Sequence, residues 1–119
     1  MQYLLLIYGN EKLFNQMSPA EQKKIEQEYM DLSKSISTSG HLRGGNELDR
    51  ISKAKTVRVR EGKHVVTDGP FAETKEQLGG YYLVEAKDYK EALALAARIP
   101  SARWGSIEVR PIIPHEMPS

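Results

Sequence analysis

Cysteine is absent from the sequence. That excludes a disulfide framework, a thiolate zinc site and a cysteine nucleophile together, and it fits a reducing compartment, so a cytoplasmic location is expected. Long apolar runs are missing too. The first, Tyr3-Leu4-Leu5-Leu6-Ile7-Tyr8, falls far short of the ~20 residues of a membrane helix and lacks the basic flank and cleavage site of a signal peptide. No membrane segment is expected. An excess of either charge is also lacking: 17 Lys and Arg stand against 16 Asp and Glu, a formal net charge of +1. Nothing in that balance recommends nucleic acid or anionic lipid as a partner. The histidines, His41, His64 and His115, are scattered without metal-site spacing, so neither a metal nor a cofactor is expected. The pairs Gly44-Gly45 and Gly79-Gly80 precede no helix start and do not form a phosphate cradle.

What the chain does contain is globular composition, 39% hydrophobic and 28% charged over 119 residues, enough for one core. Tyr3–Tyr8 reads as a central strand, and residues 9–17 read as a polar loop. Ser18-Pro19-Ala20-Glu21 is a helix start, with Ser18 capping, Pro19 where its missing N–H costs nothing, and Glu21 placed to return the bond. Ile25, Tyr29, Leu32 and Ile36 then recur on one helical face until Gly40 stops the helix. His41–Leu48 is a weak strand. Thr56–Arg60 alternates as a strand with one buried face should, Glu61-Gly62-Lys63 turns, and His64–Thr67 returns. Asp68-Gly69-Pro70-Phe71 halts that strand. Leu78–Ala86 is a further strand, and Asp88 and Glu91 form a reciprocal capping box for a helix buried through Leu93, Ala96 and Ile99. Ile107–Arg110 closes the pattern.

The order predicts an α+β fold. With residues of about 50–77 set aside, a ferredoxin-like βαβ-βαβ sheet remains, with two helices on one face and a β-hairpin inserted. The hairpin is expected to protrude beside the sheet without replacing one of its strands. The chain is read as one domain over residues 1–114 with a short tail at 115–119. A sheet covered on one side only leaves an apolar face open, and a homodimer through that face is the expected remedy.

The segment Thr67–Tyr82, with Asp68-Gly69-Pro70-Phe71 at its start, resembles the naming motif of the DGPF family, a branch of the YCII-related proteins. Thr56-Val57-Arg58, Ala92–Pro100 and Glu108–Ile112 are similar to the same pattern, which spans about residues 1–114. The resemblance implies a dimeric α/β-barrel type of assembly. It also implies a regulatory setting, since relatives often accompany extracytoplasmic-function sigma factors. Other YCII-related proteins have been proposed to use a His–Asp pair in acid–base chemistry; this chain carries no histidine in its first long helix.

Asp68 ends a strand beside a glycine, so its carboxylate can face a cleft as an acid–base group or can simply set the bend. Glu73, Lys75 and Glu76 crowd three ionisable groups into one short stretch, as a ligand site or as a solvated loop. Phe71 is expected to be the buried anchor of that stretch. Arg58 and Arg60 share a hairpin face that can grip an anion or merely serve as its polar side. His41 is the one histidine carried forward as an acid–base or ligand group. Three functions follow: a homodimeric small-molecule-binding or sensory module, an enzyme using Asp68 or Glu73 as its base, and an accessory interaction protein of a sigma-factor-linked regulator.

Overall fold

The computed structural model describes residues 1–116; of the expected tail, residues 117–119 lie outside the described residues. The elements follow in order as β1 (Gln2–Gly9), α1 (Glu11–Gln16), α2 (Pro19–Thr38), β2 (Leu42–Glu47), β3 (Lys55–Arg60), β4 (Lys63–Asp68), β5 (Gln77–Glu85), α3 (Tyr89–Ala97) and β6 (Ser106–Pro111). Strands β2, β5, β1 and β6 form one sheet in that order, every neighbour antiparallel, while β3 and β4 form a separate two-stranded ribbon. The chain is thus α+β. No helix among the described residues is long and apolar enough to cross a membrane.

Alternation along β1 divides the sheet into two faces. Tyr3 and Leu5, opposite Val84 and Tyr82, are buried. They join Leu32 and Ile36 of α2 with Ala92, Leu95 and Ala96 of α3 in a single core. The other face, with Leu4, Leu6, Tyr81 and Leu83, is only half-buried and has no helix over it. Pro111 sits on the edge strand β6, where its missing donor breaks no ladder. At the entry to β6, a Cβ on Gly105 would lie 2.3 Å from the Tyr8 carbonyl oxygen, so glycine alone permits the chain to approach β1 there.

The capping chemistry is partly as expected. The Ser18 hydroxyl accepts from the Glu21 N–H at 3.1 Å, and Asp88 accepts from the Glu91 N–H at 2.9 Å. Glu91 does not complete a reciprocal box: its carboxylate accepts instead from the Lys87 N–H and faces His41. The loop expected at residues 9–17 is interrupted by α1, because the Asn10 side chain caps the Lys12 N–H at 2.9 Å and starts a short helix. Leu93 was expected in the core but is 51% exposed, and Leu95 takes the buried place. The nine-residue helix presents Ala92, Leu95 and Ala96 to the sheet and turns Leu93 outward.

The ribbon is the largest departure. It protrudes as an arm and replaces no strand of the sheet, as its turn chemistry required: Glu61 and Gly62 both have positive φ, 51° and 75°, the condition for a tight two-residue hairpin. The face expected to be buried is open, however. Val57, Val59 and Val66 are 62%, 56% and 57% exposed. The radius of gyration, 16.5 Å, exceeds the roughly 13.5 Å of a compact chain of this length because the arm stands away from the core.

Replacing Leu95 with Ala should cost ~2–5 kcal/mol in urea unfolding, as a buried Leu truncation does. Leu93→Ala should stay within ~0.5 kcal/mol of wild type, as surface changes do. A second test uses pH. Burial raises the Tyr29 phenol above its usual 10.0, against the opposing hydrogen bond with Ser101. A raised phenol contributes stability that is intact below pH 10.0 and is lost as pH climbs through the folded-state value. Tyr29→Phe should flatten that alkaline limb of the stability profile, read by denaturant titration at stepped pH.

Candidate functional site

At the foot of the arm lies a groove of about 570 Å³. Its apolar lining comes from Tyr8 at the end of β1, Leu48 and Ile51 beyond β2, Pro70 and Phe71 after β4, and Leu78 at the start of β5. Glycine and proline after β4 turn the chain back over this space: Gly69 has φ 90°, its N–H donates to the Ala54 carbonyl at 2.7 Å, and its carbonyl accepts from the Thr56 hydroxyl at 2.8 Å. These two bonds, with the Lys55–Asp68 ion pair at 2.7 Å, close the base of the arm and hold the Pro70-Phe71 wall. The opposite wall is set by Glu11, whose carboxylate accepts from the Ile51 N–H at 3.0 Å and whose own N–H donates to the Gln77 side chain at 3.2 Å.

Asp49, Arg50, Lys53 and Glu76 contribute the charges of the groove. The Asp49 carboxyl is held below its usual 3.8, first by the Arg50 N–H that it accepts at 2.8 Å and then by the Lys53 ammonium at 3.4 Å. Glu76 is positioned by the Ser106 hydroxyl, which donates to it at 2.8 Å. The Arg50 guanidinium forms no hydrogen bond or ion pair with any described residue. A second, shallower groove of about 390 Å³ lies beside β2, lined by Ser33, Leu42, Arg43, Gly44, Gly45 and Tyr82. The Ser33 and Tyr82 hydroxyls meet there at 2.8 Å. Among the described residues no three of His, Asp or Glu gather where they would hold a metal ion.

A scan against protein-family descriptions matches the YCII-related domain over residues 1–116. The chain belongs to the YCII-related family. A protein of Rhizobium meliloti (strain 1021) named "Uncharacterized protein R00369" is 36% identical over 124 aligned positions, with all of both chains covered.

Of the residues expected at a site in this YCII-related chain, Glu76 alone lines the larger groove. Asp68 lies at the base of the arm, exposed and paired with Lys55. Glu73 and Lys75 are exposed and make no side-chain hydrogen bond or ion pair among the described residues. Phe71 was expected to be a buried anchor. It is 80% exposed and stands in the wall of the groove, because the bend is pinned by backbone bonds at Gly69 and needs no buried ring. Arg58 is half-buried on the arm, across from Val65 and on the face opposite Val57 and Val59. His41 belongs to a different constellation: its Nδ1 meets the Ser39 hydroxyl at 2.7 Å and its Nε2 meets Glu91 at 3.0 Å, joining the end of α2 to α3. The Ser39 hydroxyl donates to the Ile36 carbonyl at 3.1 Å, so it caps the helix and is not set up as a nucleophile.

Asp49, Arg50 and Lys53 lie between the expected strands and were given no role from the sequence. The signal that points to them is the i, i+4 spacing of Asp49 and Lys53, which pair across the start of a short 3-10 turn at Ile51–Lys53.

Asp49 gives a direct check of the groove's electrostatics. A depressed carboxyl contributes stability above its unfolded value, and that contribution is lost as pH falls through the folded one. Lys53→Ala should move the Asp49 midpoint upward yet leave it below 3.8, because the Arg50 N–H is the larger cause. Carboxylate NMR titration of the two proteins reads the difference; a midpoint that returns fully to the ordinary range would show that the ammonium dominates.

Proposed function

We propose that this YCII-related protein is a homodimeric small-molecule-binding module, and that its ligand is a small carboxylate with an apolar or aromatic body. The observation that carries the reading is the groove at the foot of the arm, whose 570 Å³ falls in the range of small-ligand sites. Its lining combines an aromatic and aliphatic wall with an Arg50 guanidinium that no described residue engages. Arginine recognises a carboxylate through paired, charge-assisted hydrogen bonds, while Phe71, Leu48 and Leu78 suit an apolar body. Glu76, held by Ser106, supplies an acceptor for a donor group on the same ligand.

Several finer features accompany the proposal. The strand order β2-β5-β1-β6, with helical crossovers after β1 and β5, supports a ferredoxin-like arrangement over a domain of residues 1–114. The open face with Leu4, Leu6, Tyr81 and Leu83 supports pairing of two copies face to face in the manner of a dimeric α/β barrel. The Asp68–Phe71 motif supports membership of the DGPF branch, and the lack of cysteine fits a cytoplasmic setting. An acid–base role for Asp68 or Glu73 draws no comparable support, since neither residue lines the groove.

Thermal-shift screening of aromatic and short-chain carboxylates against the purified protein tests the assignment. A hit should raise the melting temperature of wild type and of Glu73→Gln alike. Arg50→Ala should lose the shift and weaken binding by ~1.5–3 kcal/mol, the range for a hydrogen bond to a charged group. A ligand whose shift survives Arg50→Ala but vanishes in Glu73→Gln would move the site to the Glu73–Glu76 loop.

A further inference from the structure

The arm poses a problem that the lone chain does not solve. A two-stranded hairpin is at best marginally stable in water on its own, and this one pairs its strands with each other and with no strand of the sheet; the bonds among Ala54, Lys55, Thr56, Asp68 and Gly69 close its own base. Its two faces are unlike. Arg58, Arg60, Lys63 and the threonines Thr56 and Thr67 occupy one, with Val65 among them. Val57, Val59 and Val66 occupy the other, each more than half exposed, with His64 across from Val59 and the Lys55–Asp68 pair at the base. β-branched residues in a row on one face are what a strand needs against an apolar surface, and such a face left bare invites association.

We propose that the valine face of the arm is an interface surface occupied by a second copy of this chain. The inference rests on the two-copy reading given above and assigns the arm a place in it. The area required argues for that occupant. Four strands about 4.8 Å apart and roughly 20 Å long present a flat face of only about 400 Å². A stable interface of standard size buries about 800 Å² on each partner. The sheet face alone falls well short of that; the two strands of the arm add about 200 Å² and bring the sum to roughly 600 Å², the lower end of the range for stable interfaces. One chain therefore carries two uncovered apolar surfaces, and a twofold pairing covers both at once with no further partner.

Sedimentation equilibrium on wild type and three variants tests the assignment, with far-UV circular dichroism confirming that each is folded. The variants are the double substitution Val57→Lys/Val59→Lys, the opposite-face control Val65→Lys, and the sheet-face substitution Leu83→Lys. Wild type and Val65→Lys should sediment at twice the chain mass. Val57→Lys/Val59→Lys should sediment as a single chain, with a dissociation constant raised by about a hundredfold or more. An unchanged constant in the double variant overturns the inference and leaves the sheet-face pairing standing. A wild-type monomer overturns both. If Leu83→Lys stays dimeric while the arm variant dissociates, the sheet-face reading falls and the arm assignment holds. The lack of cysteine permits a second measurement free of interface changes: Lys63→Cys carries a spin label at the arm tip. A narrow distance distribution between copies supports an arm held by its partner, and a broad one overturns it.

Discussion

The pairing of β1 with β5 is the contact on which the rest of the molecule hangs. These are the two central strands, they lie far apart in the chain, and their register sets Tyr3 against Val84 and Leu5 against Tyr82. A one-residue shift of β1 would carry Tyr3 and Leu5 to the uncovered face and strip the core of β1's share. Helices α2 and α3 depend on that register, since Leu32 and Ile36 of α2 and Ala92, Leu95 and Ala96 of α3 share one core with these positions. The outer strands depend on it too: β2 reads its position from β5 and β6 reads its position from β1. The groove follows in turn, because Tyr8 and Leu78, partners in the same ladder, form part of its lining.

Most of this architecture was legible from residue patterns, and the reasons are local. Ser18-Pro19 and Asp88 announce helices because short oxygen-bearing side chains satisfy the exposed amides of a first turn, whatever lies elsewhere in the protein. The arm was legible from strict alternation and from Gly62, since a two-residue turn needs positive φ. What pattern alone did not convey was whether an apolar face finds a partner within the chain. Val57 and Val59 alternate just as a half-buried strand does, yet nothing in one chain covers them. Leu93 and Leu95 are chemically alike, and only the rotation of α3 over the sheet distinguishes them.

The candidate site was harder to foresee for a related reason. Charged residues crowded together at Glu73–Glu76 drew attention in the sequence, but only Glu76 is turned inward, where Ser106 from a distant strand holds it. Asp49 and Arg50 attract no notice in one dimension. They become part of a site because a short 3-10 turn faces the Pro70-Phe71 bend across the foot of the arm. The bond from Gly69 to Ala54 that closes the arm brings those two segments together, and no spacing rule connects them. His41 is conspicuous in the sequence for its chemistry, and in the fold its ring joins the end of α2 to α3.

The placement of the arm also bears on how the fold can vary. It lies in the connection between β2 and β5, two strands that are already neighbours in the sheet. The entropy of closing such a connection grows only with the logarithm of its length, about 0.6 kcal/mol for each doubling. Lengthening or shortening the ribbon, pair by pair, therefore leaves the folding of the sheet nearly untouched while changing how far it reaches. The sheet itself sets little limit on the length of the arm, and the segments flanking it join any such change directly to the walls of the groove.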